Sequence, residues 1–272
     1  MDDRCPHRGV QLSGGSLDGD TIVCPFHGFA FNTSGHCTQI PVQPAETTIP
    51  RALCVHAYPA CELQGYVFMW WGAVPEKLPA IDWFTEELAG LDGPYEQWAD
   101  CNTGLSRNIE NQLDSAHLPF VHARSIGRLV KSRVSRVECE VKENHIRLYQ
   151  HGRRDYYVEM RLPNLWINRI GPKAWVTLAF VPITTGRTRL YTRYYQGFLR
   201  IPLLKQLLGW VMGKANLWIL REDIRVVETH DTAVSPALDG SELLQPCDIA
   251  VIEYRRLRKG WQHAAKDDSP AA

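Results

Sequence analysis

Two short stretches near the N-terminus carry residue types that hold metals. Cys5-Pro-His7-Arg-Gly9 is answered, after sixteen intervening residues, by Cys24-Pro-Phe-His27-Gly28. Two Cys-plus-His pairs on two turns make a complete four-ligand set. The glycines let each loop bend with its backbone N–H groups turned inward. Two occupants suit such a set. One is a structural zinc with Cys₂His₂ ligation. The other is a 2Fe–2S cluster with two thiolates on one iron and two imidazoles on the other. The remaining six cysteines, at 37, 54, 61, 101, 139 and 247, lack this spacing and read as small hydrophobes.

A second set of donors lies in Asn111-Gln-Leu-Asp114-Ser-Ala-His117-Leu-Pro-Phe-Val-His122. Ser106–His117 reads as a helix, which would put Asp114 and His117, three apart, on one face. His122 is five residues beyond His117, the wrong offset for a straight helix. Pro119 discourages continuation and lets the chain swing both imidazoles to one point. The third donor comes from a late helix running from about Asn216 to His230. On a wheel of ~100° per residue, Arg221, Arg225 and Glu228 lie opposite Asp223, while Ile219, Leu220, Val226 and Val227 lie within about 60° of it. A carboxylate in an apolar stripe must be paired, protonated or bound to metal. Asp223 therefore completes a two-histidine, one-carboxylate face. Such a face leaves positions on Fe(II) open for water, substrate and dioxygen. Glu222 and Glu228 are fallback carboxylates off the apolar face.

The elements that must position these residues fall into two regions, giving an α+β fold. Residues 1–75 form a small all-β domain, with strands at Thr21–Cys24, Phe29–Asn32, Arg51–His56 and Tyr66–Trp71 between Gly-rich turns. Ala73–Leu91, with Pro75 and Pro79, reads as a linker. A second domain, residues 92–258, becomes recognisable near Trp98. It carries strands at Val134–Val141, Ile146–Gln150, Tyr156–Leu162, Leu165–Ile170, Trp175–Val181 and Thr188–Tyr195. The turns between them suit an antiparallel sheet. Two closing helices are expected, Pro202–Met212 and the one bearing Asp223. Beyond Tyr254 the chain is expected to fray.

Composition excludes several classes. The 272 residues carry 30 Lys+Arg against 30 Asp+Glu, so neutrality gives no footprint for nucleic acid or an anionic surface. At 22% charged and 44% apolar the chain is neither a disordered tail nor a membrane protein. The longest apolar stretch, Ile201–Leu220, is interrupted by Lys205, Gln206, Lys214 and Asn216, short of the ~20 apolar residues a bilayer span needs. No targeting segment is expected from the charged Met1-Asp2-Asp3-Arg4, and the scattered cysteines suit a reducing cytoplasm. The chain has no G-x-G-x-x-G signature, so NAD(P)H would be oxidised by a separate protein.

The paired C-x-H and C-x-x-H, each cysteine followed by Pro, resemble the Rieske signature, which favours the 2Fe–2S cluster over zinc. Val10 and Phe26 stand where the bc-complex type carries a disulfide, so the resemblance is to the oxygenase and ferredoxin branch. With N-x-x-D-x-x-H-x4-H, a late Glu-Asp and the run Gly65-Tyr-Val-Phe-Met-Trp-Trp-Gly72, the whole chain resembles the catalytic α subunit of Rieske non-haem iron oxygenases. It is most similar to short members such as vanillate O-demethylase and dicamba monooxygenase.

The resemblance implies a Rieske domain joined to a helix-grip catalytic domain in a homotrimer. It implies Cys5, His7, Cys24 and His27 on the cluster, and His117, His122 and Asp223 on the mononuclear iron. Asn111 is expected beside that iron. Asp114 is expected to bridge His27 of a neighbouring subunit to His117. Substrates would be small organic molecules and O₂, with electrons from a separate reductase or ferredoxin. The family carries several strands before the first ligand, whereas Cys5 is almost at the start. The Rieske domain is therefore expected to lack its N-terminal strands and to hold its cluster weakly. An electron-transfer Rieske protein, an inactive fragment and a zinc module are the competing readings.

Overall fold

The computed structural model describes residues 1–44, 46–129, 137–150 and 153–267, in two units, Met1–Ile81 and Asp82–Ala272. In the first unit, frequent turn residues keep the strands short. Strands β1 (Ser16–Asp18), β2 (Thr21–Val23), β3 (Ala30–Phe31) and β4 (Cys37–Gln39) pair antiparallel in that order. Strands β5 (Ala60–Leu63) and β6 (Tyr66–Met69) form a separate hairpin. Leu12, Phe29, Phe31 and Val55 pack with Cys5 and Cys24 into one small core. Arg51–His56, expected as a strand, supplies only an isolated bridge between Cys54 and His36. Strands β1, β4 and β5 went unforeseen because their residues are mostly exposed and show no apolar alternation.

The second unit is built on a seven-stranded antiparallel sheet. Its strands are β7 (Asp92–Cys101), β8 (Glu138–Lys142), β9 (His145–Gln150), β10 (Arg153–Arg161), β11 (Leu165–Gly171), β12 (Ala174–Thr184) and β13 (Arg187–Gln196). The order is β7-β13-β12-β11-β10-β9-β8. Six of the seven match expected strands; residues 134–136 of the expected Val134–Val141 strand lie outside the described residues. Strand β7 was not expected. It pairs with β13 from Cys101↔Thr188 to Asp92↔Gln196. Ion pairs secure that edge, Glu96 with Arg193 and Asp100 with Arg189, both at 2.6 Å. Its sequence therefore reads as polar rather than as a β pattern.

Helices α1 (Leu105–Leu113), α2 (Leu118–Val121), α3 (Pro202–Val227) and α4 (Ile249–Asp267) complete the unit. Ile109 and Leu113 of α1, Leu220 and Val227 of α3, and Ala250 and Tyr254 of α4 share one core with Ile146, Met160, Leu178 and Phe180 of the sheet. Three expectations are corrected here. The helix expected to reach His117 stops at Leu113. The two closing helices are one helix of 26 residues. The expected fraying beyond Tyr254 is instead α4. Part of the expected linker is also packed: Trp83 and Phe84 are buried, and Arg161 donates to the Trp83 carbonyl (2.9 Å) with its guanidinium over the Phe84 ring.

Gly209 shows how α3 comes so close to the sheet. A Cβ there would lie 2.1 Å from the ring of Tyr95, whose hydroxyl is tied to the Lys205 carbonyl at 3.1 Å. Gly209→Ala should destabilise the folded state by about 1–3 kcal/mol through overpacking, despite a helix-propensity gain of about 1 kcal/mol. Urea denaturation checks it; a more stable variant would show that Tyr95 yields freely.

Candidate metal centres

The two N-terminal loops are built alike. The Cys5 N–H donates to the Val10 carbonyl and the Gly9 N–H returns a bond to the Cys5 carbonyl, both 2.8 Å. The Cys24 N–H donates to Phe29 (2.8 Å) and the Gly28 N–H to Cys24 (3.0 Å). Gly9 and Gly28 both turn the chain with positive φ, 73° and 71°, a region side chains rarely enter. Each loop thus buries its cysteine and leaves its histidine nearer the rim. Cys5 and Cys24 are each 3% exposed, and the His7 and His27 rings lie 4.9 Å apart. Burial pushes the Cys5 thiol up, and the neighbouring Cys24 thiol adds to this.

This arrangement tests which metal group fits. Among the described residues, only His117, His122 and Asp223 bring three donor atoms within 4.8 Å of one another. The N-terminal four therefore do not close on one point, as a tetrahedral zinc with bonds of ~2.0–2.3 Å requires. A buried thiol pair and a separate imidazole pair suit a two-iron cluster. His27 Nδ1 is buried without a hydrogen-bond partner among the described residues, as an imidazole donor awaiting a metal would be.

In the second unit, α1 ends at Leu113 and Asp114 caps it in extended conformation, so Asp114 and His117 do not share a helix face. His117 and His122 instead bracket the single turn of α2, with Pro119 inside its first turn rather than breaking a longer helix. Five residues across one short turn bring both rings together, centroids 5.3 Å apart. Asp223 enters from α3, in a buried line with Leu217, Leu220 and Val227. Its Oδ1 is 3.0 Å from His122 Nε2 and 3.3 Å from His117 Nε2. Among the described residues that oxygen is buried with no hydrogen bond of proper geometry, so the three donors face a common point rather than each other. The donor set fits Fe(II) with positions left open.

Each donor is held from behind. Gln112 Nε2 donates to Asp223 Oδ2 at 3.2 Å. His122 Nδ1 is 2.9 Å from Glu222 Oε2, which also accepts from Ser125 Oγ at 2.5 Å. Asp114 accepts the Ala116 N–H through Oδ1 (2.7 Å) and holds Oδ2 3.5 Å from His117 Nδ1, in ion-pair range but without hydrogen-bond geometry. Burial opposes protonation of His117, but the Asp114 and Asp223 carboxylates outweigh it and raise its pKa to about 9. Burial likewise works against ionised Asp223, and the two imidazoles overcome it and hold its carboxyl well below the usual range. The pocket is built for positive charge.

Glu222 is therefore not an idle fallback but the residue that orients His122. Gln112 and Ser125 were missed; their contacts with α3 span about a hundred residues and leave no local pattern. Helix α1 is itself anchored, by Trp166 Nε1 on the Gln112 carbonyl (3.2 Å) and by Arg255 of α4 on Glu110 (2.7 and 2.9 Å). The donors stand at the wall of a cavity of about 280 Å³, lined also by Asn111, Leu148, Trp166, Leu178 and Asn216.

Comparison with known proteins agrees with this geometry. Residues 1–59 match the Rieske [2Fe-2S] domain. Chlorophyllide a oxygenase of Chlamydomonas reinhardtii is 35% identical over 287 residues, 95% of this chain and 41% of that protein. The vanillate O-demethylase oxygenase subunit of a Pseudomonas species is 33% identical over 132 residues, 47% of this chain and 38% of that protein. The chain spans about half or less of the length of the curated relatives first matched. Among solved structures, NdmA of Pseudomonas putida CBB5 with caffeine superposes with a TM-score of 0.78 at 20% identity, over 98% of this chain and 79% of that one. The expected α+β architecture is borne out. Residues 1–59 are a Rieske [2Fe-2S] domain, about half of the chain is homologous to the oxygenase subunit of a vanillate O-demethylase, and nearly all of it shares the fold of NdmA.

Proposed function

We propose that this chain is the catalytic subunit of a Rieske oxygenase that hydroxylates or demethylates a small, largely apolar ring compound. The observation that carries this reading is the convergence of His117, His122 and Asp223 at the wall of a largely apolar cavity. A Rieske electron carrier would have no use for it. Bound there, the mononuclear iron would activate O₂, fed single electrons by the cluster on Cys5, His7, Cys24 and His27. Asp114 would hold His117 and face His27 of a neighbouring copy in a homotrimer. Electrons would come from a separate NAD(P)H-dependent reductase or a ferredoxin. No helix among the described residues is long and apolar enough to cross a membrane, and eight free cysteines suit a reducing compartment such as the cytoplasm. Product analysis with the reductase-coupled protein and a panel of ring compounds tests the reading; NAD(P)H consumption without an oxygenated or demethylated product would contradict it.

The cavity is at the small end of ligand pockets, which run from ~300 Å³ upward. Asn216, two helical turns before Asp223, lines it with a buried Nδ2 that has no partner among the described residues. A substrate with a carbonyl, carboxylate or ether oxygen would satisfy that donor. Asn216→Leu should raise KM for such a substrate about tenfold, the value of one hydrogen bond to a neutral group, with little change for a hydrocarbon. Equal effects on both would remove Asn216 from recognition. Glu222→Gln should weaken metal binding about 10–100-fold by loosening His122 while leaving three ligands in place. Cobalt titration, read in the visible spectrum, measures it; unchanged affinity would leave Glu222 a bystander.

A further inference from the structure

Helix α3 is apolar on two faces. One packs on the sheet through Gly209, Gly213, Leu217 and Leu220. The other leaves Leu203, Leu207, Trp210, Val211 and Trp218 between 45% and 79% exposed. On a wheel of ~100° per residue these five fall within an arc of about 100° that borders the buried line where Trp210 adjoins Leu217. The ridge is about 22 Å long at ~1.5 Å per residue. Phe198 and Ile201, both 58% exposed, extend it beyond the helix start. A helix that is apolar all round is normally covered on every side.

We propose that this ridge docks on an anionic lipid surface, lying among the headgroups rather than spanning the bilayer. Charge selects this occupant. From Phe198 to Arg221 the chain carries Arg200, Lys205, Lys214 and Arg221 and no acidic residue, although the whole protein is balanced at 30 against 30. Overall neutrality conceals this segregation. Lys205 is paired with Asp92 at 2.5 Å. Arg200, Lys214 and Arg221 are exposed, with Lys214 on the ridge itself, its ammonium 3.1 Å from the neutral Gln97 amide oxygen. A lysine in the middle of an apolar ridge is a misfit in a dry protein contact. Its long stem can lie along lipid while the ammonium reaches a phosphate. Trp210 and Trp218 are the side chains that favour headgroup depth. Apolar ridge, aromatic pair and flanking cations together match an interfacial helix. The cavity lies against the same helix, at Met212 and Ile219, so docking would set it about one helix diameter, ~10 Å, from lipid. The docking does not depend on the oxygenase reading.

Flotation of the full chain with vesicles tests it. With phosphatidylcholine–phosphatidylglycerol vesicles most of the protein should float, and with phosphatidylcholine alone about tenfold less. The double variant L207E/W210E should abolish flotation with an unchanged circular dichroism spectrum. Lys214→Glu, at an exposed position, should cut it several-fold and supplies the test if the double variant does not fold. Absence of wild-type flotation on anionic vesicles overturns the proposal. So does undiminished flotation of Lys214→Glu and the double variant. A third contrary result is no flotation but a multimer that L207E/W210E dissociates in light scattering, which would make the ridge a contact between copies.

Discussion

Asp223→Ala should yield a protein that keeps its cluster and loses its mononuclear iron, with turnover falling below detection. Asp223 is the anionic member of its donor set, and its Oδ1 stands between the two imidazoles at 3.0 and 3.3 Å. Removing it leaves two neutral ligands, a set with little hold on a hard divalent cation. The substitution also leaves Gln112 Nε2 without its acceptor, so the wall at α1 loses an anchor there. The cluster ligands lie in the other unit, with a core of their own, so visible absorption from the cluster should persist. The comparison with Glu222 is the internal control. Glu222 touches His122 through Nδ1, the nitrogen that does not face Asp223, so its loss should weaken the site without emptying it. If Glu222→Ala emptied the site and Asp223→Ala did not, the ligand assignment would be wrong by one residue.

Asp114→Asn should leave both metal sites loaded and reduce turnover at least about 100-fold, the upper range for residues that act on a metal ligand from behind. Asn keeps the shape and can still accept the Ala116 N–H that fixes the end of α1. What it removes is a negative charge 3.5 Å from His117 Nδ1. That charge would hold His117 in the orientation that couples it to an incoming histidine. A purely structural Asp114 would show a change within about 0.5 kcal/mol in stability and none in turnover. The distinguishing readout is a single turnover of the pre-reduced variant, in which transfer from cluster to iron should itself be slow. Wild-type single-turnover rates would falsify the bridging role.

The donors were legible because metal chemistry demands particular residue types at short spacing. Cys5/His7 and Cys24/His27 each sit within one turn, and His117 and His122 bracket another. Asp223 was legible from physics alone, as a carboxylate in an apolar stripe. What surrounds the donors was not. Glu222 lies one residue off that stripe, and its value comes from a contact with a residue 100 positions away. The strands β9 to β13 announced themselves through β-branched and aromatic runs. Strand β7 did not, because Glu96 and Asp100 secure an edge by ion pairs rather than by apolar burial. The unbroken α3 ran against expectation for a related reason. The two expected helices left a gap between Met212 and Asn216, yet Gly213 in that gap, like Gly209, is small because β7 lies against it.

Metal analysis of the purified, iron-replete protein, combined with EPR of the dithionite-reduced form, tests the central assignment most directly. The expected result is about three irons and two acid-labile sulfides per chain, with the reduced-state spectrum of a mixed Cys/His cluster, and about two irons in Asp223→Ala. A colourless protein holding one zinc and no sulfide would contradict it.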